Sequence, residues 1–311
     1  MKIAVDAMGG DFAPKAIVEG VIQAAKNLPE SIKIVLIGRE DQIQLELSNY
    51  PSNKNIEIVH AQDVVAMGEH PTKALSQKPN SSIGVGFKLL KEGLVDVFCS
   101  AGNTGAMHVG ALFSIRAIEG VIRPAIAGFA PQKTGGRAVI LDIGANADCK
   151  PEMLEQFGEL GSLYAQHALQ IQSPRVALMN IGEEEQKGSL VAQAANQLLK
   201  NNSNVNFIGN IEGKDLFLGK ADVIVCDGFT GNVMIKLAES FYDLTNEMGI
   251  KDDFLDQTNY ETIGGSPIIG VNGNVLIAHG ASSPKAIENM IYLAQRQVES
   301  GVYQKIKQAF R

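Results

Sequence analysis

The sequence predicts an α/β fold: a Rossmann-like, three-layer α/β/α arrangement with a mostly parallel sheet and helices on both sides. Three observations predict it. Short aliphatic and β-branched runs alternate with longer amphipathic stretches along the chain. The short runs are nearly continuous in apolarity, as in strands covered on both faces. Polar, glycine-bearing segments follow strands directly, where a parallel sheet gathers its ligand-binding loops.

The apolar runs place strands at Lys2–Asp6, Lys33–Gly38, Ile56–His60 and Val95–Ser100. Further strands are expected at Ile126–Ala130, Arg137–Ile143, Arg175–Met179, Val205–Gly209, Asp222–Cys226 and Val275–His279. Helical periodicity falls between them, over Pro14–Asn27, Ser81–Glu92, Thr104–Ile118, Pro151–Ala168, Gly188–Leu199, Asn232–Met248 and Ser283–Ala309. Lys251–Ser266 is polar and poorly periodic, and reads as a loop or short hairpin. The whole chain, 1–311, reads as one domain.

The polar strand ends carry the functional signal. DAMGGD (Asp6–Asp11), SAGNTGA (Ser100–Ala106), DIGANADCKPE (Asp142–Glu152), NIGEEEQKG (Asn180–Gly188), DGFTGN (Asp227–Asn232) and HGASSPKA (His279–Ala286) each follow a predicted strand. In a parallel sheet they emerge at the carboxyl edge and are expected to converge on one crevice. Several open into helices, whose first turns attract phosphate through unpaired N–H groups. Asp6, Gly9, Gly10, Gly102, Asn103, Thr104, Gly105, Asp142, Asn146, Gly228, Thr230, Gly231 and His279 are therefore the candidate phosphate- or substrate-binding residues. No loop matches GxGxxG or GxxxxGK[ST], so a dinucleotide fingerprint and a nucleotide P-loop are unsupported.

Composition narrows the class. A net charge of −7, with no lysine- or arginine-rich block, argues against a nucleic-acid partner. The three cysteines, Cys99, Cys149 and Cys226, form no CxxC pair, which fits a reducing compartment and no structural zinc site. The N-terminus turns to glycine and aspartate too early for a signal peptide. No apolar run reaches about 18 residues, so no membrane-crossing helix is expected.

Individual residues leave alternatives open. Lys187 is either a solvated lysine offsetting Glu183, Glu184 and Glu185 or a cation for phosphate and a developing oxyanion. Asn232 is a helix cap or a donor to the same anion. His279 is a general acid or a packed strand-end histidine. Asp142 and Asp148 either cap turns or bind metal, with no diagnostic ligand spacing. Cys149 lacks a visible basic partner, so an inert thiol is its plainer reading. No GxSxG or Ser/His/Asp constellation announces a triad.

Taken together and in order, VDAMGGD, SAGNTGA, LDIGANADCKPE, NIGEEEQKG, CDGFTGN and GVNGNVLIAHGASSPKAI resemble the PlsX family, the acyl-carrier-protein:phosphate acyltransferases of bacterial phospholipid synthesis. The resemblance runs nearly end to end. It implies a fold related to phosphate acetyltransferases and to isocitrate and isopropylmalate dehydrogenases. It implies transfer of a fatty acyl group from acyl carrier protein to inorganic phosphate, with Lys187 and Asn232 as catalytic residues and no organic cofactor or metal. Phosphopantetheine would arrive on the carrier protein. The implied partners are a second copy of the chain and a membrane glycerol-3-phosphate acyltransferase that consumes the acyl phosphate. The implied location is cytoplasmic, peripheral at the inner face of the membrane.

In that family pattern a longer, often apolar helical hairpin follows the Asn232 helix. Here residues 233–266 form a shortened, acidic version of this dimer segment, so recruitment by a partner replaces autonomous lipid binding. Lys133, Arg137, Lys305, Lys307 and Arg311 are candidate docking cations for an acidic carrier protein. Rival readings are a phosphate acetyl- or butyryltransferase using coenzyme A, an isocitrate-type dehydrogenase, and a non-catalytic sensor on the same fold.

Overall fold

A computed structural model of the chain describes residues 1–310. Its strands are β1 (Lys2–Asp6), β2 (Lys33–Gly38), β3 (Ile56–His60), β4 (Val97–Ser100), β5 (Ala125–Pro131), β6 (Arg137–Leu141), β7 (Arg175–Met179), β8 (Asn206–Ile211), β9 (Val223–Val225), β10 (Ser266–Ile269) and β11 (Asn274–Ile277). Its helices are α1 (Lys15–Asn27), α2 (Glu40–Leu47), α3 (Pro71–Gln77), α4 (Ser82–Lys91), α5 (Thr104–Gly110), α6 (Pro151–Ala168), α7 (Leu190–Asn201), α8 (Gly228–Glu247), α9 (Asp253–Asp256), α10 (Tyr260–Ile263), α11 (Pro284–Glu299) and α12 (Val302–Ala309). The elements form two compact units. One comprises Met1–Ala117 and Tyr260–Glu299, the other Ile118–Asn259 and the stretch from Ser300.

In the first unit the strand order is β3-β2-β1-β4-β11-β10. All neighbours are parallel except β10 and β11. Ile3, Ala4, Val5, Val97, Phe98 and Cys99 are wholly buried, so the apolar runs fill both faces of the sheet. The chain walks outward from β1 to β3 and then returns past β1 to β4. Right-handed crossovers put α1 and α4 on opposite faces and leave a switch point between β1 and β4. The DAMGGD and SAGNTGA loops start at the two strands that flank it.

In the second unit the order is β5-β6-β9-β7-β8. Here β5 runs antiparallel to β6, and the remaining neighbours are parallel. Ala138, Ile140, Ala177, Ile211, Leu216, Ile224 and Cys226 belong to one buried core cluster. The Asp142, Asn180 and Asp227 loops leave parallel strands at a common edge. Because β9 lies between β6 and β7, the Asp227 loop is flanked by the other two.

The strand positions follow the expected runs to within two residues. Four differences have physical causes. The Ser283–Ala309 helix is two helices, because Gly301 takes a left-handed conformation (φ 64°) between α11 and α12. Helix α8 starts four residues before Asn232, capped by Asp227. The Thr104 helix changes to a π-helical turn over Ala111–Ile115. Ser266–Ile269 pairs with β11, a strand whose short, proline-containing sequence carries little β signal.

Candidate active site

Within the first unit, three glycine-bearing loops meet through both side-chain and backbone contacts. Asp6, at the end of β1, is 1% exposed. Its Oδ2 accepts from the Ser100 hydroxyl at 2.7 Å, and its Oδ1 accepts from the Met8 amide at 3.0 Å. Ser100 Oγ in turn accepts from the Gly102 amide at 2.9 Å. Burial pushes the Asp6 carboxyl up, against bonds from Ser82, Ser100, Met8 and Gly9 that pull it down. A β-carbon at Gly9 would lie 2.6 Å from Asp6 Oδ2 and 2.7 Å from the Gly102 nitrogen, so only glycine fits there. The HGASSPKA loop joins them, its Gly280 carbonyl accepting from the Asp11 amide at 2.8 Å.

Asn103 and His279 are turned toward structure. Asn103 caps α5, accepting from the Ala106 amide, and its Nδ2 donates to the carbonyls of Ala66, Met67 and Glu69. It thereby ties the SAGNTGA loop to the segment before α3. Thr104, the next residue, is exposed, and Gly105 packs toward Pro71. His279 is exposed and lies against Tyr260, ring centroids 4.9 Å apart. Its Nδ1 accepts from the Ala281 amide, which places the ring proton of the neutral form on Nε2.

In the second unit, Asp142 is wholly buried and organises its loop. Oδ1 accepts from the amides of Ile126, Gly144 and Ala145, and Oδ2 accepts from Asn146 N and Nδ2. Asn146 also donates to the Pro124 carbonyl and accepts from the Gly228 amide. Gly231 is packed so closely that a β-carbon would overlap the Asp142 carbonyl oxygen. Asp142 and Asn146 therefore frame the start of α8.

The first turn of α8 is partly spent on the protein itself. The Gly228 amide donates to Asn146, and the Thr230 amide donates to Asp227 Oδ1 at 2.7 Å. This differs from a phosphate cradle of open helix-end amides, because an aspartate already caps that end. The side chains remain: Thr230 is partly exposed, and Asn232 is exposed with Nδ2 donating to the Ile143 carbonyl at 3.2 Å.

The ion pairs around the NIGEEEQKG loop bear on both readings of Lys187. Glu183 pairs with Lys220 at 2.9 Å and Glu185 with Lys200 at 2.5 Å. Lys187 is exposed and makes no ion pair among the described residues. Its backbone is held on both sides, the amide donating to the Glu184 carbonyl and the carbonyl accepting from Asn180 Nδ2 at 3.0 Å. A fixed backbone with an unpaired ammonium suits an anion that arrives from solvent.

The surroundings of all three cysteines disfavour a thiolate. Burial, with help from Asp142 and Asp227, pushes the Cys149 thiol up to about 12. Burial likewise raises Cys99 and Cys226. Glu183, Glu212 and Asp215 lie close together, but Lys220 bridges Glu183 and Asp215 while Lys214 pairs with Glu212. A cavity of about 590 Å³ opens in the second unit at the amino ends of β6 and β7, the edge opposite the Asp142, Asn180 and Asp227 loops, lined by Gln132, Arg137, Leu169, Arg175 and Asp222. Of the candidate docking cations, Arg137 lines this cavity and Lys307 lies over Tyr303. Lys133 and Lys305 are exposed, and Arg311 lies outside the described residues. Ser100, Asn180 and Asp227 hold the loops without having been singled out as site residues. Their one sequence signal is a polar residue at a strand end.

Residues 1–305 match the model of a family described as fatty acid synthesis protein. A phosphate acyltransferase of Dictyoglomus thermophilum is 46% identical over 326 residues, spanning 98% of this chain and 96% of that protein. The chain belongs to the phosphate acyltransferase family. Another member, from Salinibacter ruber, is 41% identical over 331 residues, covering 100% of this chain and 98% of its own length. Among solved structures, a phosphotransacetylase from Streptococcus pyogenes superposes with a TM-score of 0.68 at 17% identity, covering 96% of this chain and 94% of its own. At that identity the likeness establishes the shared α/β fold. Among the described residues of this chain, no helix is long and apolar enough to cross a membrane.

Proposed function

We propose that this chain moves a fatty acyl group from an acyl-carrier-protein thioester to inorganic phosphate, releasing acyl phosphate and the carrier thiol. The observation that carries the reading is the Lys187 ammonium, outside any ion pair among the described residues, on a backbone fixed at both ends, while Glu183 and Glu185 pair with Lys220 and Lys200. A phosphate oxygen attacks the thioester carbonyl, the carbon–oxygen bond forms, and the carbon–sulfur bond breaks with its electron pair leaving on sulfur. Phosphate is already an oxyanion at neutral pH, so no strong base is required. Lys187 holds the phosphate and offsets the developing negative charge, with Thr230 and Asn232 as further donors. A single donor of this kind is worth about 10²–10³ in rate. No organic cofactor or metal enters the reading.

The same reading includes a homodimer. Helix α8 and its C-cap Met248 expose Phe229, Val233, Leu237, Phe241, Leu244 and Met248, each at least half exposed and spaced by three or four residues. Such a stripe lies along one helix face and suits a second copy of the chain. The following Asp252, Asp253, Asp256 and Glu261 are repelled by anionic lipid, which supports a cytoplasmic protein brought to the membrane by the acyltransferase that consumes its product.

The test is kinetic. Phosphate-dependent release of carrier thiol from palmitoyl-carrier protein is measured for wild type, Lys187→Ala and Asn232→Ala. Lys187→Ala is expected to lose about 10²-fold or more in kcat/KM. Near-normal turnover would remove Lys187 from the site.

A further inference from the structure

We infer that Asn210, backed by Asn196, is a positioning residue that sets where the Lys187 loop sits over the carboxyl edge of the second unit's sheet. The inference rests on the proposed role of Lys187 and extends it to residues the loop's own sequence does not contain.

The starting observation is an irregularity in β8, whose sequence is NFIGNI. Side chains alternate along a strand, so Asn206, Ile208 and Asn210 should share the outer face. Asn206 is exposed and Ile208 is 44% exposed, yet Asn210 is only 7% exposed and Ile211 3%. The pairing with β7 explains the change. Val176 lies opposite Phe207 and Leu178 opposite Asn210, so β8 carries one extra residue. This bulge falls at Gly209, whose φ of +100° favours glycine, although a β-carbon there would meet nothing. Its effect is to turn the Asn210 amide inward, off the outer face that Asn206 and Ile208 share, against the cost of burying a polar group.

The inward amide is used. Asn196 on α7, 1% exposed, donates through Nδ2 to Asn210 Oδ1 at 2.8 Å. Asn210 Nδ2 then donates to the Glu184 carbonyl at 2.9 Å. That same carbonyl accepts from the Lys187 amide at 3.1 Å and closes the turn that presents the lysine. The Asn196 Oδ1 has no hydrogen-bond partner among the described residues. A buried acceptor left without a partner is a cost that a purely apolar packing of α7 on β8 would avoid. The fold thus commits two buried amides and a bulge to one carbonyl in the Lys187 turn.

The test is a double-mutant cycle with Asn210→Leu and Lys187→Ala, read by kcat and by KM for phosphate with palmitoyl-carrier protein. Amide hydrogen exchange over residues 181–188 is read in parallel. Asn210→Leu is expected to raise KM for phosphate about tenfold with a smaller change in kcat, and to speed exchange in 181–188 while β7 stays protected. In the Lys187→Ala background the same substitution should change KM less than about twofold, because its route of action is gone. An unchanged KM in the single variant, or an equal rise in both backgrounds, overturns the inference. Should Lys187→Ala itself behave as wild type, the Lys187 reading fails; the exchange data then score Asn210 separately, and unaltered exchange overturns its positioning role. If Asn210→Leu does not fold, Asn196→Ala replaces it. It should shift KM in the same direction by about two- to fivefold, and no shift overturns the inference.

Discussion

Replacing Asp142 with asparagine separates a framework residue from a substrate ligand. The wholly buried carboxylate accepts five hydrogen bonds, three on Oδ1 and two on Oδ2. Asparagine keeps one acceptor oxygen. Its better orientation leaves that oxygen toward Ile126, Gly144 and Ala145 and turns its NH₂ group toward Asn146 N and Nδ2, donor against donor. Two bonds to a charged acceptor are lost, at about 1.5–3 kcal/mol each, for a total of about 3–6 kcal/mol. Removing a buried charge returns part of this, so a net loss near 3 kcal/mol is expected. That is a large share of the roughly 5–15 kcal/mol that holds a typical protein folded. Urea denaturation followed by circular dichroism at neutral pH measures it, with the slope checked against wild type. A loss below about 1 kcal/mol, with a raised KM for phosphate, would refute the reasoning and return Asp142 to the substrate.

Two further perturbations test other parts of the account. Burial pushes the Asp222 carboxyl up, but the side chain, amide and charge of Arg175 outweigh it and leave the group below its ordinary value. The pair's contribution is therefore full above about pH 5 and lost as pH falls through the lower folded value, so the stability gap between wild type and Asp222→Asn should narrow as pH falls below about 5; a gap independent of pH counts against it. On α8, Leu237→Glu should convert the proposed dimer to monomer by sedimentation velocity, and an unchanged sedimentation coefficient would place the dimer contact elsewhere.

The strands and the loops that follow them were legible because apolar runs of five or six residues leave few other folds open. Lys2–Asp6, Lys33–Gly38 and Arg175–Met179 match the structure end for end. The site was legible as a set of loops and less so as a set of roles. Asn103 reads as a free donor until the structure shows its amide held by carbonyls more than 30 residues earlier. In the sequence Lys187 sits in a charge run, and the pairing of Glu183 with Lys220 and of Glu185 with Lys200 appears only in the folded chain. The bulge at Gly209 leaves one glycine in an otherwise ordinary strand, and a single residue of register carries no periodic signal. Sequence pattern reports what a segment buries, whereas the allocation of each polar atom depends on partners that only the folded chain brings near.

The most direct measurement is product formation. Purified protein is incubated with palmitoyl-carrier protein and radiolabelled orthophosphate, and labelled acyl phosphate is separated from free orthophosphate by extraction into organic solvent. The account predicts labelled acyl phosphate in step with carrier thiol release, greatly reduced for Lys187→Ala. Thiol release without labelled acyl phosphate, or turnover of coenzyme A thioesters alone, would contradict it.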